Sequence, residues 1–304
     1  MRPTHPKWSV KLVLRLYFLT KNEKPKTVFT MPELPEVEVI RRGLAPRVLG
    51  RRILTVVVGE KRLRQESSPE ELQQWLPARA ILEIERRGKY LLFHLEGGVT
   101  LLLHLGMTGR LLLLPAASPT LPHVHLIFEI EGGLDLAFQD VRRFGQALVF
   151  PPGVEPAPLA QVGREPFSRQ VTPAWLAGEA RGRSRALKNF LMDGRLLAGI
   201  GNIYASEILF AARLHPATPA GHLSLADWAR VLKETRRILN AAIAKGGTTV
   251  ADFLNSRGET GLFQLELMVY GLGGEPCGKC GRAIARISQG GRSTFFCPRC
   301  QKGK

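Results

Sequence analysis

Four cysteines constrain this chain more than any other feature. All lie within residues 277–304 of the 304-residue sequence, as Cys277-x2-Cys280 and Cys297-x2-Cys300 with sixteen residues between the pairs. A tail of that size cannot bury a core of its own and needs a staple. Two such pairs place four thiolates tetrahedrally around one zinc ion. None is left over, which argues for a reducing compartment and a metal rather than disulfides. The spacer alternates and carries Gly290-Gly291 in its middle, so a hairpin is expected over 281–296. Four thiolates leave no open position for water, so the expected zinc, one per chain, is structural.

The formal net charge is +17 and the sequence pI about 10.3. A balance this basic points to a polyanion, because neutralising phosphates with Lys and Arg releases counterions. Charge alone does not separate DNA from RNA or from an anionic membrane. No stretch is long and apolar enough to span a bilayer; residues 10–19 are short and interrupted by Lys11 and Arg15. Residues 1–30 carry seven basic side chains against one acid, Glu23. Without turn chemistry or an amphipathic repeat, they are expected to lie outside the working fold.

Beyond that extension the hydrophobic period changes twice. Val37, Ile40, Leu44 and Val48 share one helical face, so a helix is expected over 35–49, with prolines in its first turn and Gly50 as its stop. Short β-type runs follow at 53–58, 80–85, 90–95, 100–105, 110–114, 125–130, 134–138 and 146–150, the pattern of a sandwich or barrel. The Pro-rich stretch 151–158 reads as a linker. Helices are then expected over 184–193, 203–212, 225–245 and 250–255. The domain scheme is an extension to residue 31, a catalytic domain over 32–150, a linker over 151–165, a helical domain over 166–265 and a zinc finger over 266–304.

From Met31 the chain reads MPELPEVEVIRRGL. It continues with RRGKYLLF (86–93), HLGMTGRL (104–111), RRFG (142–145), LMDGRLLAGIGNIYASEILF (191–210), GGTTVADFL (246–254) and the cysteine pairs. Seven motifs in this order resemble the formamidopyrimidine-DNA glycosylase family over about nine-tenths of the chain. The resemblance implies an α+β multidomain fold: an N-terminal two-layer β-sandwich with an N-terminal helix, a C-terminal helix–two-turn–helix domain and a zinc finger. It implies removal of 8-oxoguanine and formamidopyrimidines from duplex DNA, then strand cleavage by β,δ-elimination. The partner would be damaged double-stranded DNA, not a membrane, and the protein a monomer of the bacterial cytosol and nucleoid.

The residue types suit that chemistry. An N-terminal proline is a secondary amine, and α-amino groups titrate near pH 8. Attack on the sugar C1′ gives an iminium that acidifies the C2′ proton. The resemblance makes Pro32 the nucleophile, Glu33 the group that moves protons to and from the sugar oxygen or the departing base, Lys89 the assistant in β-elimination and Arg292 in δ-elimination. It makes Met107, Arg142 and Phe144 the side chains that fill the hole left by the extruded base. Read alone, Pro32 and Glu33 equally suit a helix start, and Met107 and Phe144 a core. The turn 199–202 opens a helix whose amides can hold a phosphate, and Asn202 could cap it or bind that phosphate. His104, His123, Arg183, Lys188 and Tyr204 are further DNA-contact candidates.

The chain departs from the family pattern in three places. Pro32 is a free amine only once residues 1–31 are absent, so translation from Met31 with methionine removal is expected; if they are retained, the chain would be a non-catalytic damage binder. Val141 stands where many relatives have proline. The stretch around His123 and His125 matches only loosely. The loop 256–263 lies where the family covers the extruded base. An endonuclease VIII-type enzyme for oxidised pyrimidines is the sibling reading, which the PELPEVE opening and the Met107, Arg142, Phe144 set disfavour.

Overall fold

A computed structural model describes residues 31–119, 121–247 and 267–303. The expectations for the extension 1–30, the helix 250–255 and the loop 256–263 fall outside these residues.

The first helix, α1 (Leu34–Val48), starts where the sequence stops competing with it. Glu36 accepts the Glu33 N–H at 3.0 Å, and Pro35 sits in the first turn, where its missing N–H costs nothing. Val37, Ile40, Leu44 and Val48 are fully or almost fully buried against the sheets that follow. Leu34 is buried instead in the core of the helical half. The helix therefore belongs to both halves, and its N-terminus lies at their junction.

Nine strands follow: β1 (Ile53–Val58), β2 (Gln65–Glu66), β3 (Ile81–Arg87), β4 (Tyr90–Leu95), β5 (Thr100–His104), β6 (Gly109–Pro115), β7 (Val124–Ile130), β8 (Leu134–Asp140) and β9 (Gln146–Phe150). They form two sheets, ordered β1-β7-β8-β6 and β2-β9-β5-β4-β3. Apolar residues from both sheets and α1 share one core. Of the two architectures the strand spacing allows, the chain adopts the sandwich. Between β2 and β3 lies α2 (Pro69–Trp75), unexpected from periodicity but signalled by the capping box that Ser68 and Glu71 form around Pro69.

The helical half contains α3 (Pro173–Ala180), α4 (Leu187–Leu191), α5 (Asn202–Ala211) and α6 (Leu225–Ala244). Helix α3 is likewise unexpected from periodicity; Thr172 caps it by accepting the Trp175 N–H at 3.1 Å. The expected helix 184–193 shrinks to α4 because its early backbone bonds elsewhere. Ala186 bridges to Pro219, and the Leu187 and Lys188 amides donate to Thr218 and Pro216 at 2.8 and 3.1 Å. The tail forms the expected hairpin, β10 (Ala285–Gln289) and β11 (Arg292–Phe296), turning at Gly290 and Gly291 with φ of 56° and 73°.

At the RRGK motif one acid ties the two halves. Glu165, at the start of the helical half, accepts from Arg86 at 2.9 and 3.1 Å, from Arg87 at 3.3 Å and from the Gly88 amide at 2.6 Å. The RRGK motif thus spends both arginines on the domain junction. Lys89 is left at its edge.

Candidate active site

The N-terminus of α5 has the chemistry expected of an anion site, but its anion comes from the chain itself. The Glu33 carboxylate accepts from Gly201 N–H at 2.6 Å, Ile203 N–H at 2.9 Å and Tyr204 N–H at 3.4 Å. Helix N-terminal amides favour any anion placed there. The amides expected to hold a phosphate at this turn are taken up by Glu33. Both turn glycines are required: a Cβ on Gly201 would stand 2.3 Å from the Glu33 carboxyl carbon, and one on Gly199, where φ is 84°, 2.6 Å from the Leu34 Cβ. Gly199 also accepts the Leu34 N–H at 3.0 Å, seating the Pro32–Leu34 segment.

Burial pushes the Glu33 carboxyl up from 4.5 to about 7, against the pull of Lys89, with Glu36 adding to the rise. Such a group can hold a proton near neutral pH and release it there. Burial also pulls the Lys89 ammonium below its ordinary value, with Glu33 and Glu36 resisting. His104 is driven down to about 4 by burial and by Lys89, so it is neutral at pH 7. Its Nδ1 accepts the Gly106 N–H at 3.1 Å, which leaves the proton on Nε2.

Glu33, Lys89, Met107, Asn202, Tyr270 and Arg292 line one cleft of about 600 Å³, with Met31 at its wall. Pro32, next in the chain, is buried. A second cleft of about 610 Å³ continues past Lys89 and His104 to Arg195. Met107 is half-buried at the cleft rather than packed in the core. Phe144 is 38% exposed, and the Arg142 guanidinium lies 4.8 Å from its ring centre. Asp140, fully buried, shapes that loop by accepting from the Thr108 hydroxyl, from Arg142 N–H at 3.2 Å and from Gly145 N–H at 2.8 Å. His123 is exposed beside the loop with φ of 64°, while His125 turns inward between the carbonyls of Lys61 and Asp140. Arg183 is exposed and pairs with Glu179 at 3.4 Å.

Three expected DNA contacts are engaged inside the protein. Tyr204 is fully buried, and its hydroxyl donates to Glu36 at 2.7 Å, fixing the acid that caps Glu33. Lys188 has no exposed surface because its ammonium is consumed by Asn202, Ser293 and Thr294. Asn202 does not cap α5; its side chain joins Lys188 to the zinc hairpin. Two residues at or beside the cleft, Tyr270 and Glu36, were not among the expected site residues. Tyr270 enters the cleft because Glu207, on α5, accepts from the amides of Met268, Val269 and Tyr270 at 3.0, 3.0 and 2.8 Å. Glu36 was legible only as part of a motif.

The four cysteine sulfurs lie within 4.8 Å of one another. Zn–S bonds of about 2.3 Å put tetrahedral sulfurs a little under 4 Å apart, so the set fits one zinc ion. The backbone supports it: Cys300 N–H donates to the Cys297 sulfur at 3.4 Å. The residues that would hold the ion are Cys277, Cys280, Cys297 and Cys300, and its chemistry there is structural.

A two-layer sandwich, a helical domain and a zinc-stapled hairpin meet at a cleft holding a protonatable carboxyl, a lysine and an arginine beside a basic, aromatic-tipped loop. Residues 31–147 match the formamidopyrimidine-DNA glycosylase N-terminal domain, 162–253 its H2TH domain, and 274–303 the zinc finger found in FPG and IleRS. The chain is 46% identical over 272 residues to the formamidopyrimidine-DNA glycosylase of Pseudomonas paraeruginosa, covering 90% of this chain and 100% of that one. It is 47% identical over 284 residues to that of Cupriavidus pinatubonensis, covering 89% and 100%. The MutM (FPG) crystal structure from Thermus thermophilus superposes with a TM-score of 0.80 at 40% identity, over 90% of this chain and 100% of that one. A Lactococcus lactis FPG mutant bound to Fapy-dG-containing DNA gives 0.81 at 33%, over 89% and 100%. The chain belongs to the formamidopyrimidine-DNA glycosylase family.

Proposed function

We propose that the cleft excises an oxidised purine from duplex DNA and then cuts the strand, with Pro32 as nucleophile and Glu33, Lys89 and Arg292 as its proton-handling groups. The enzyme is a base-excision DNA glycosylase for oxidised purines, as its relatives are. The Pro32 amine attacks the sugar C1′ as the C1′–N bond breaks, and the departing base takes up a proton. The attached amine gives up its proton and the C1′–O4′ bond opens, O4′ taking up a proton, to leave a ring-opened iminium that acidifies C2′; loss of that C2′ proton expels the 3′ phosphate, and a second elimination expels the 5′ phosphate. Glu33, poised near pH 7, suits the proton deliveries. Lys89, its ammonium weakened by burial, suits proton removal.

The observation that carries this reading is the convergence of Glu33, Lys89, Met107 and Arg292 on one cleft at the end of the Met31–Pro32 segment. The free amine needs residues 1–31 to be absent; in support, the family match begins at residue 31. Arg142 and Phe144 stand exposed and stacked, as suits residues that enter the duplex. His104, His123 and Arg183 are proposed backbone contacts. Damaged duplex DNA is the proposed partner, as in the Lactococcus lactis complexes. The protein is proposed to act as a monomer in the cytosol and nucleoid; among the described residues no helix is long and apolar enough to cross a membrane.

The experiment separates the two chemistries. Glu33→Gln should lower release of 8-oxoguanine by about 100-fold or more while cutting of a preformed abasic site persists. Equal loss of both activities from a folded variant would contradict Glu33's role as proton donor to the base.

A further inference from the structure

Lys188 is a buried charge to which the chemistry above gives no task. It sits on α4, with no exposed surface. Burying an ammonium is costly unless its protons are taken up. Here it donates to Asn202 Oδ1 at 2.5 Å, Thr294 Oγ1 at 2.6 Å and the Ser293 carbonyl at 3.2 Å. None of these acceptors is a carboxylate. Two of them directly follow Arg292 along β11. Asn202 doubles the tie by donating from Nδ2 to the same Ser293 carbonyl at 3.1 Å. Across the turn, Gly290 lies against Asn189, where an added Cβ would stand 3.5 Å from the amide nitrogen. The tip of the zinc hairpin is thus seated on α4 and the start of α5. Zinc closes the opposite end of that hairpin, so the two devices hold different things.

We propose that Lys188 is a positioning residue for Arg292: its buried ammonium seats the hairpin tip so that the Arg292 guanidinium enters the cleft shared with Glu33 and Lys89. The proposal rests on the reading of Arg292 as a participant in the second elimination. Burial pulls the Lys188 ammonium down to about 8, with Glu33, at the start of α1, resisting and Arg292, on β11, adding to the fall. A lysine whose folded value is depressed loses its charge as pH rises through that value, so the seat weakens above pH 8.

The test uses the zinc-loaded chain begun at Met31, a span comparable to the full length of the relatives. An abasic-site duplex reports the ratio of δ- to β-elimination product, and hydrogen–deuterium exchange reports the hairpin over 285–296. Lys188→Met should lower the ratio about tenfold, with zinc content unchanged. Hairpin exchange should quicken. Thr294→Val, which removes one acceptor and keeps the lysine, should move both readouts the same way by less. The wild-type ratio should fall between pH 7 and 9, and the Lys188→Met ratio should stay low and flat. Unchanged hairpin exchange in both variants would overturn the proposal. So would an equal fall of base release and both eliminations in Lys188→Met beside a wild-type Thr294→Val. Faster exchange with an unaltered ratio in both Lys188→Met and Arg292→Ala would uphold the seat and overturn the role of Arg292.

Discussion

Glu33 and His104 should oppose one another in the pH dependence of stability, and substituting either should expose the other. Glu33 rises from 4.5 to about 7 on folding, so the folded state holds its proton more tightly. Its contribution is full below pH 4.5 and is lost as pH rises to 7. His104 falls from 6.5 to about 4, so its contribution is full above pH 6.5 and is lost as pH falls to 4. Each displacement corresponds to about 3 kcal/mol by linkage. Over most of pH 4.5–6.5 the two slopes cancel. In Glu33→Gln the carboxyl's decline disappears, so the variant should gain about 3 kcal/mol on wild type between pH 4.5 and 7. His104→Asn should lose a similar amount relative to wild type between pH 4 and 6.5. Urea unfolding of the DNA-free, zinc-loaded protein at half-unit pH steps measures both, and the other carboxylates drop out of the difference. Parallel curves for Glu33→Gln and wild type across pH 4.5–7 would refute the claim that this carboxyl is destabilised in its ionised form.

Other predictions follow from single contacts. Gly201→Ala forces a methyl into the Glu33 carboxylate and should destabilise by about 1–3 kcal/mol, with a larger loss in kcat than in KM; a wild-type rate would show that Glu33 need not be held there. Glu165→Ala removes the acceptor of Arg86, Arg87 and the Gly88 amide, and should lower unfolding stability by about 2–4 kcal/mol. Chelating the zinc should quicken exchange throughout 277–300 while leaving the strands of the sandwich protected. Affinity for undamaged duplex should fall steeply with salt, since phosphate contacts supply non-specific binding; a flat salt dependence would remove the basic cleft from the account.

Much of the fold was legible because its signals are local. The α1 stripe of Val37, Ile40, Leu44 and Val48, the alternating strands and the cysteine spacing each follow from a period or a coordination geometry. The pieces missed, α2 and α3, are short and carry their signal in caps, Ser68 and Thr172, rather than in periodicity. The site was legible as a set of motifs, not as an arrangement. Lys188 and Tyr204 read as DNA contacts because lysine and tyrosine are common there, yet their partners lie 14 to 168 residues away in sequence. The helix N-terminus at α5 reads in the sequence as a phosphate site, and only the fold shows that Glu33 takes up its amides. Tyr270 and Glu165 carry no pattern at all, because their roles depend on which surfaces the two halves bring together.

The most direct measurement is borohydride trapping with an 8-oxoguanine·cytosine duplex and the chain begun at Met31. A covalent protein–DNA adduct, lost in Pro32→Gly and absent when residues 1–30 are retained, is the predicted result. No adduct from a folded, zinc-loaded, DNA-binding protein, or an adduct undiminished by Pro32→Gly, would contradict the Pro32 iminium.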